Sequence, residues 1–269
     1  AELAEGLASV LAIDFVLTPV GLLAAIGARH GDAALLLPLP LLLLFSLSTR
    51  DRQQRNDQAL ELSSAYRGTA FLLGDVVEAD DAYTGAHSRD VLDLVLAVAD
   101  ELSVDARSRL NAEFVALLHD VGKIRVPAEI INKPGPLSPE ERAIVNMHTI
   151  EGQRLLERVG GRLAEVGEIV RSCHERWDGG GYPDGLAGEE IPLVARIVAC
   201  CDAFSAMTTH RSYRRARTVE AALVELEASA GRQFDPEVVA VLAELIRSGR
   251  AGLGRRPELV EVTAAAATS

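Results

Sequence analysis

Residues 117–141 read LLHDVGKIRVPAEIINKPGPLSPEE, and the two ends of this stretch set the reading of the whole chain. At the C-terminal end, Ser138-Pro139-Glu140-Glu141 supplies an N-cap, a proline at the first helical position and a capping-box glutamate. At the N-terminal end, His119-Asp120 sets an imidazole beside a carboxylate. Further along, Asp235-Pro236-Glu237 starts a helix in the same way, and Gly231 can end the one before it. Pro192 opens the helix carrying LVARIVACCDAFSAM. No alternating strand pattern and no internal repeat interrupts this succession. The predicted fold class is all-α, a helical bundle.

Composition narrows the function classes. A net charge of -12, from 27 basic and 39 acidic residues, argues against a nucleic-acid polymer as partner, because such a binder needs a basic face to displace counterions. Aromatics at 4% leave little for base-stacking platforms. A hydrophobic content of 48% in 269 residues excludes intrinsic disorder and allows one large or two small domains. The cysteines Cys173, Cys200 and Cys201 are too few and too odd for a disulfide framework, which points to a reducing compartment. Cys200 and Cys201 read as small apolar helix residues. Residue 1 is Ala rather than Met, so a fragment or processed chain is expected.

The apolar residues concentrate near the start. Leu7–Ala28 carries one charge, Asp14, and Ala33–Thr49 carries none; at 22 and 17 residues these bracket the length that spans a bilayer. The polar turn Arg29-His30-Gly31-Asp32 joins them, which predicts a transmembrane hairpin over 1–49. No basic region precedes it, unlike a signal peptide. Pro38 and Pro40 interrupt helical hydrogen bonding and favour the alternative, a buried hairpin. Arg50, Arg52 and Arg55 follow the second stretch, so the expected place is the inner (cytoplasmic) membrane with all later residues cytoplasmic. Residues 50–79 read as one linker helix. Its seam Leu62, Tyr66, Thr69, Leu73 and Val76 fits either a coiled coil in a homodimer or a helix packed on its own domain. A domain over 80–248 and a disordered tail over 249–269 complete the expected organisation.

Five of the six histidines fall between 87 and 210. Asp120, His148, His174 and Asp202 follow one another at intervals of 28, 26 and 28 residues. That spacing suits helices running out and back, returning ligands to a common end of a bundle. Imidazoles and carboxylates together suit Fe, Mn or Zn, and a carboxylate can bridge two ions. Lys123 follows Asp120 by three residues, on one helix face if the helix continues.

The stretch 117–141, then HTIEGQRLL (148–156), CHERWDGGGYPDGLAGEEIPLVARI (173–197) and CDAFSAMTTHRSYR (201–214), resembles the HD-GYP family in order and spacing. That family is a branch of the HD metal-dependent phosphohydrolases. DAYTGAHSRD around His87 is similar to its opening motif, and the resemblance runs from about Asp80 to Leu245. It implies two divalent ions, Fe or Mn. His87, His119, Asp120 and Asp202 would hold one, and Asp120, His148, Cys173 and His174 the other, with Asp120 bridging. Where some members have a glutamate for a third ion, this chain has Tyr83. The implied reaction is hydrolysis of cyclic di-GMP to pGpG and/or GMP by a bridging hydroxide, with Asp120 and Lys123 as catalytic groups. Lys123, Arg211 and Arg214 would contact the substrate; Arg215 and Arg217 read as a solvated face. Gly181, Tyr182 and Pro183 belong to a loop that would contact GGDEF-domain proteins or simply shape the site. Two departures stand out: Cys173 replaces a histidine, and Ser212 replaces a proline. They motivate two alternatives, a metal-impaired module that binds cyclic di-GMP or a GGDEF partner without cleavage, and a phosphohydrolase for another nucleotide.

Overall fold

The computed structural model describes residues 39–80, 87–209 and 215–250, with isolated positions at 18, 21, 22, 25 and 26. In chain order the helices are α1 (Leu39–Asp80), α2 (His87–Glu101), α3 (Ala106–Leu118), α4 (Ala128–Ile131), α5 (Pro139–Asn146), α6 (His148–Val159), α7 (Arg162–Arg171), α8 (Leu193–Thr208), α9 (Val219–Ser229) and α10 (Pro236–Arg247). Short 3-10 turns lie at Val121–Arg125 and Gly188–Glu190. The expected all-α class is what the described residues adopt.

The helix starts follow the capping chemistry. Asp105 accepts from the N–H groups of Arg107 and Ser108, and Thr218 from that of Ala221. Ser138 forms the complete capping box with Glu141, behind Pro139. Asp235 caps α10 through the N–H of Glu237. Ser138→Ala is therefore expected to cost about 1 kcal/mol. The reading would be a lower urea midpoint at constant slope; an unchanged midpoint would contradict the capping assignment.

The helix α8 is the centre of the bundle. Val194, Ile197, Val198, Cys201 and Phe204 are fully or almost fully buried, which a helix needs when neighbours cover it on several sides. It packs against α2, α3, α9 and α10, while α6 lies on α7 and on the 3-10 turn after α3. One hydrophobic core links these elements. Cys200 and Cys201 sit in it as small apolar residues, as expected.

The membrane hairpin and the inner-membrane placement are not borne out. Among the described residues no helix is long and apolar enough to cross a membrane. The reason is where the second apolar stretch goes. Pro40 sits in the first turn of the described helix α1, where a missing N–H is harmless; residues 33–38 lie outside the described residues. The apolar part, Leu39–Ser48, rises only about 15 Å, half of the roughly 30 Å hydrocarbon core. It then continues without a break into Arg50, Asp51, Arg52 and Arg55. Most of the first stretch, 7–28, lies outside the described residues, as does 251–269 of the tail.

Two compact units divide the chain, 1–66 and 67–269. In the second, Ala70 is the α1 residue buried in the core, with Phe71 packed beside it. The proposed seam points elsewhere: Thr69 and Leu73 are exposed, as is Tyr66 in the first unit. The side chains of Leu62 and Val76 lie outside the described residues.

Candidate metal centre

Each helix delivers its chemical groups at an end or at the bundle axis. His119 is the C-cap of α3, and Asp120 follows with φ -98 and ψ 1, where the chain turns into the 3-10 segment. His148 is the first residue of α6. His174 lies just past the end of α7, and Asp202 comes from the middle of α8. These groups come together from helix ends and, for Asp202, from the middle of a helix.

Asp120 is at the middle. One carboxylate oxygen, Oδ1, lies 3.6 Å from Nε2 of His148; the other, Oδ2, lies 3.5 Å from Nε2 of His119. Nε2 of His119 is also 3.9 Å from Oδ1 of Asp202. Ligand atoms of Asp120, His148 and His174 all fall within 4.8 Å of one another. The rings of His148 and His174 meet edge to face at 4.8 Å.

The tautomers follow from the backbone. Nδ1 of His119 donates to the carbonyl of Ala116 at 3.0 Å, and Nδ1 of His148 to that of Val145 at 2.7 Å. A carbonyl can only accept, so the proton is on Nδ1 and Nε2 carries a bare lone pair. Nε2 of His119, His148 and His174 is buried with no hydrogen-bond partner. Bare lone pairs facing a carboxylate repel unless a cation stands between them. Two ligands each about 2.1 Å from one ion are about 3.0–3.4 Å apart, close to the 3.5–3.9 Å seen here. This donor set fits divalent ions.

The electrostatics agree. Burial opposes ionisation of Asp120, but the Lys123 ammonium beside it helps to hold the carboxyl well below its usual range. Lys123 sits 2.7 Å from Oδ2 of Asp120, because i and i+3 eclipse in a 3-10 turn. Burial first, then the neighbouring His148, pushes His174 down to about 4; burial also lowers His148. Both rings therefore present lone pairs at neutral pH. In the metal-free protein these depressed values act on stability. The unfolded chain binds protons below about pH 6.5 that the folded chain refuses, so the stabilisation is complete above that pH and is lost toward pH 4. His174 alone accounts for about 3 kcal/mol over this window. Urea unfolding of chelator-treated protein at pH 7.5, 5.5 and 4.5 should show that decline. A flat profile would contradict these environments.

Cys173 is the expected ligand that the structure does not bring into the cluster of Asp120, His148 and His174. Its buried thiol donates to the carbonyl of Ile169 at 3.6 Å, and burial, then the charges of Asp120 and Asp202, pushes its pKa up. The side chain of His87 and all of Arg211, Ser212 and Arg214 lie outside the described residues. Tyr182 comes closer than expected: its ring stacks on His174 at 5.3 Å and 16°, which the loop's glycines did not foretell. Burial raises its phenol to about 12. Gly122 was missed altogether, since a residue without a side chain gives no chemical signal. A cavity of about 300 Å³ opens beside the cluster, lined by His174, Asp202, Arg176, Tyr182, Gln233 and Phe234.

The chain is 39% identical over 175 residues to a cyclic di-GMP phosphodiesterase of Thermotoga maritima, covering 65% of this chain and 48% of that protein. It is 37% identical over 186 residues to 3'3'-cGAMP-specific phosphodiesterase 2 of Vibrio cholerae, covering 69% and 36%. The chain thus spans about half or less of the length of these relatives. A solved structure, a cyclic GMP-AMP specific phosphodiesterase of V. cholerae, shares the fold at a TM-score of 0.53 and 21% identity, over 72% of this chain and 53% of that one. The HD domain family model matches residues 72–238, the span that holds every clustered ligand described above, and the chain belongs to that family.

Proposed function

We propose that this domain is a metal-dependent phosphodiesterase that opens cyclic di-GMP to pGpG and/or GMP. The observation that carries the reading is the half-buried Asp120 carboxylate faced by the unpartnered Nε2 atoms of His119 and His148, with that of His174 beside them. His119, Asp120 and Asp202, with His87, would hold one ion; Asp120, His148 and His174 would hold the other. Fe or Mn suits these nitrogen and oxygen donors. Bound there, divalent ions would lower the pKa of a water and neutralise charge developing on the phosphoryl oxygens.

The chain's own groups do the rest. Asp120 keeps its charge with the help of the Lys123 ammonium beside it. Lys123, 2.7 Å from Asp120, is within reach of a phosphate at the same place and supplies a proton donor for the leaving oxygen. Arg211 and Arg214 are the proposed clamp on the second phosphate or a guanine face. The neighbouring cavity gives room for one nucleoside portion. The substrate names of the relatives support cyclic dinucleotides as the class.

Cys173 favours a second reading, a module that binds the dinucleotide with the second ion weakly held. Its thiol is buried, protonated and turned to Ile169. Cys173→His separates the two. Under anaerobic, Mn- or Fe(II)-replete conditions the parent is expected to cleave cyclic di-GMP. If only Cys173→His cleaves it, the parent is the binding module; if neither does, the hydrolase reading falls.

A further inference from the structure

His119 and His148 are each fixed by a hydrogen bond from Nδ1 to a carbonyl three residues back in the chain, that of Ala116 in α3 and that of Val145 in α5. His174 is outside α7 and is held by a different device. Its ring lies flat against Tyr182, and its carbonyl accepts the N–H of Tyr182 at 3.2 Å. What fixes Tyr182 therefore fixes His174.

The residue that fixes Tyr182 is Glu175. It is 5% exposed, and its Oε1 accepts the N–H of Asp184 at 2.7 Å and that of Gly185 at 3.1 Å, closing the loop just beyond Tyr182-Pro183. Just before Tyr182, Gly181 presses directly onto the chain at 175–176. A Cβ there would run into the N of Arg176 and stand 2.5 Å from Cα of Glu175. Arg171 holds Asp184 from α7 by a bidentate ion pair. The loop is thus pinned on both sides of Tyr182, and one pin is the residue next to the ligand itself.

We infer that Glu175 is a positioning residue for the metal centre: by clasping the loop at Asp184 and Gly185 it holds the Tyr182 ring against His174 and keeps the His174 ring in the cluster with Asp120 and His148. This rests on the metal-centre reading given above. Groups that orient a ligand ring commonly change metal affinity about 10–100-fold when lost. The carboxylate matters here as an acceptor of two N–H groups, not as a charge near the ions. Gln at 175 keeps an accepting oxygen in the same place, whereas Ala leaves both loop N–H groups without it.

The test is titration of the chelator-treated chain with Co2+, followed by calorimetry and by the visible absorption of the bound ion. Glu175→Ala should weaken binding of the His174-side ion by at least 10-fold and alter its absorption, while Glu175→Gln stays within a few-fold of the parent. Tyr182→Leu, which leaves Glu175 in place but removes the stacked ring, should reproduce the Ala result. Thermal melts of the metal-free proteins give the folded fraction. If Glu175→Ala folds less well, affinity per folded chain and the Tyr182→Leu result decide. Parent-like affinity and absorption in folded Glu175→Ala or in Tyr182→Leu would overturn the positioning role, as would equal losses with Gln and Ala. A parent that binds no Co2+ would instead remove the metal-centre reading itself.

Discussion

Asp120→Ala is expected to yield a folded chain that retains no divalent metal at either position. Asp120 is the residue whose two oxygens face different histidines, His119 on one side and His148 on the other. Removing it deletes a ligand from both halves at once. It also removes the carboxylate 2.7 Å from the Lys123 ammonium and leaves that positive charge beside the imidazoles. Losing a supporting group commonly costs 10–100-fold, so losing the shared ligand should exceed about 100-fold in affinity and in turnover. His148→Ala should spare the His119 side. Elemental analysis of gel-filtered protein, with circular dichroism for the fold, reads both outcomes. Two metals per folded Asp120→Ala chain would refute the bridging role.

Gly122→Ala should do comparable damage by another route. A Cβ at this position would run into the carbonyl oxygen of His148 and stand 2.5 Å from the N of Gly152 and 2.8 Å from C of His148. All three are backbone atoms of α6, so no side chain can swing aside. The 3-10 turn must separate from α6, and with it Asp120 from His148. The expected cost is on the order of 3 kcal/mol in stability. The metal affinity lost with it should be larger than that destabilisation explains, because the two ligands sit on the two surfaces forced apart. Urea unfolding together with Mn2+ titration separates the effects. Parent-like stability and affinity would show that the turn and α6 are not packed this closely.

Much of this site was legible because its signals are local. Ser138, Asp235 and their prolines announce helices by side-chain chemistry within four residues, and those helices are present. The even spacing of Asp120, His148, His174 and Asp202 suggests helices running out and back, but two short helices separate Asp120 from His148 and Asp202 comes from the middle of α8. What escaped the reading depends on backbone paths or on contacts through space. Hydropathy over Ala33–Thr49 cannot register that Pro40 serves in a first turn, nor that the helix runs straight on into its arginines. Gly122 matters for the atoms it lacks. Glu175 is read as one acid in a motif until its oxygen is found bonding the far side of a loop ten residues away. The chemistry of Cys173 suits a ligand, but its Sγ is turned back to the carbonyl of Ile169 in the preceding helix α7, and nothing local to the sequence fixes that direction.

The most direct test is an anomalous difference map from crystals of the chain grown or soaked with Mn2+. The account predicts one peak bounded by Asp120, His148 and His174 and a second on the far side of Asp120, beside His119 and Asp202. Peaks elsewhere, or none at Asp120 in crystals shown to contain Mn2+, would contradict it.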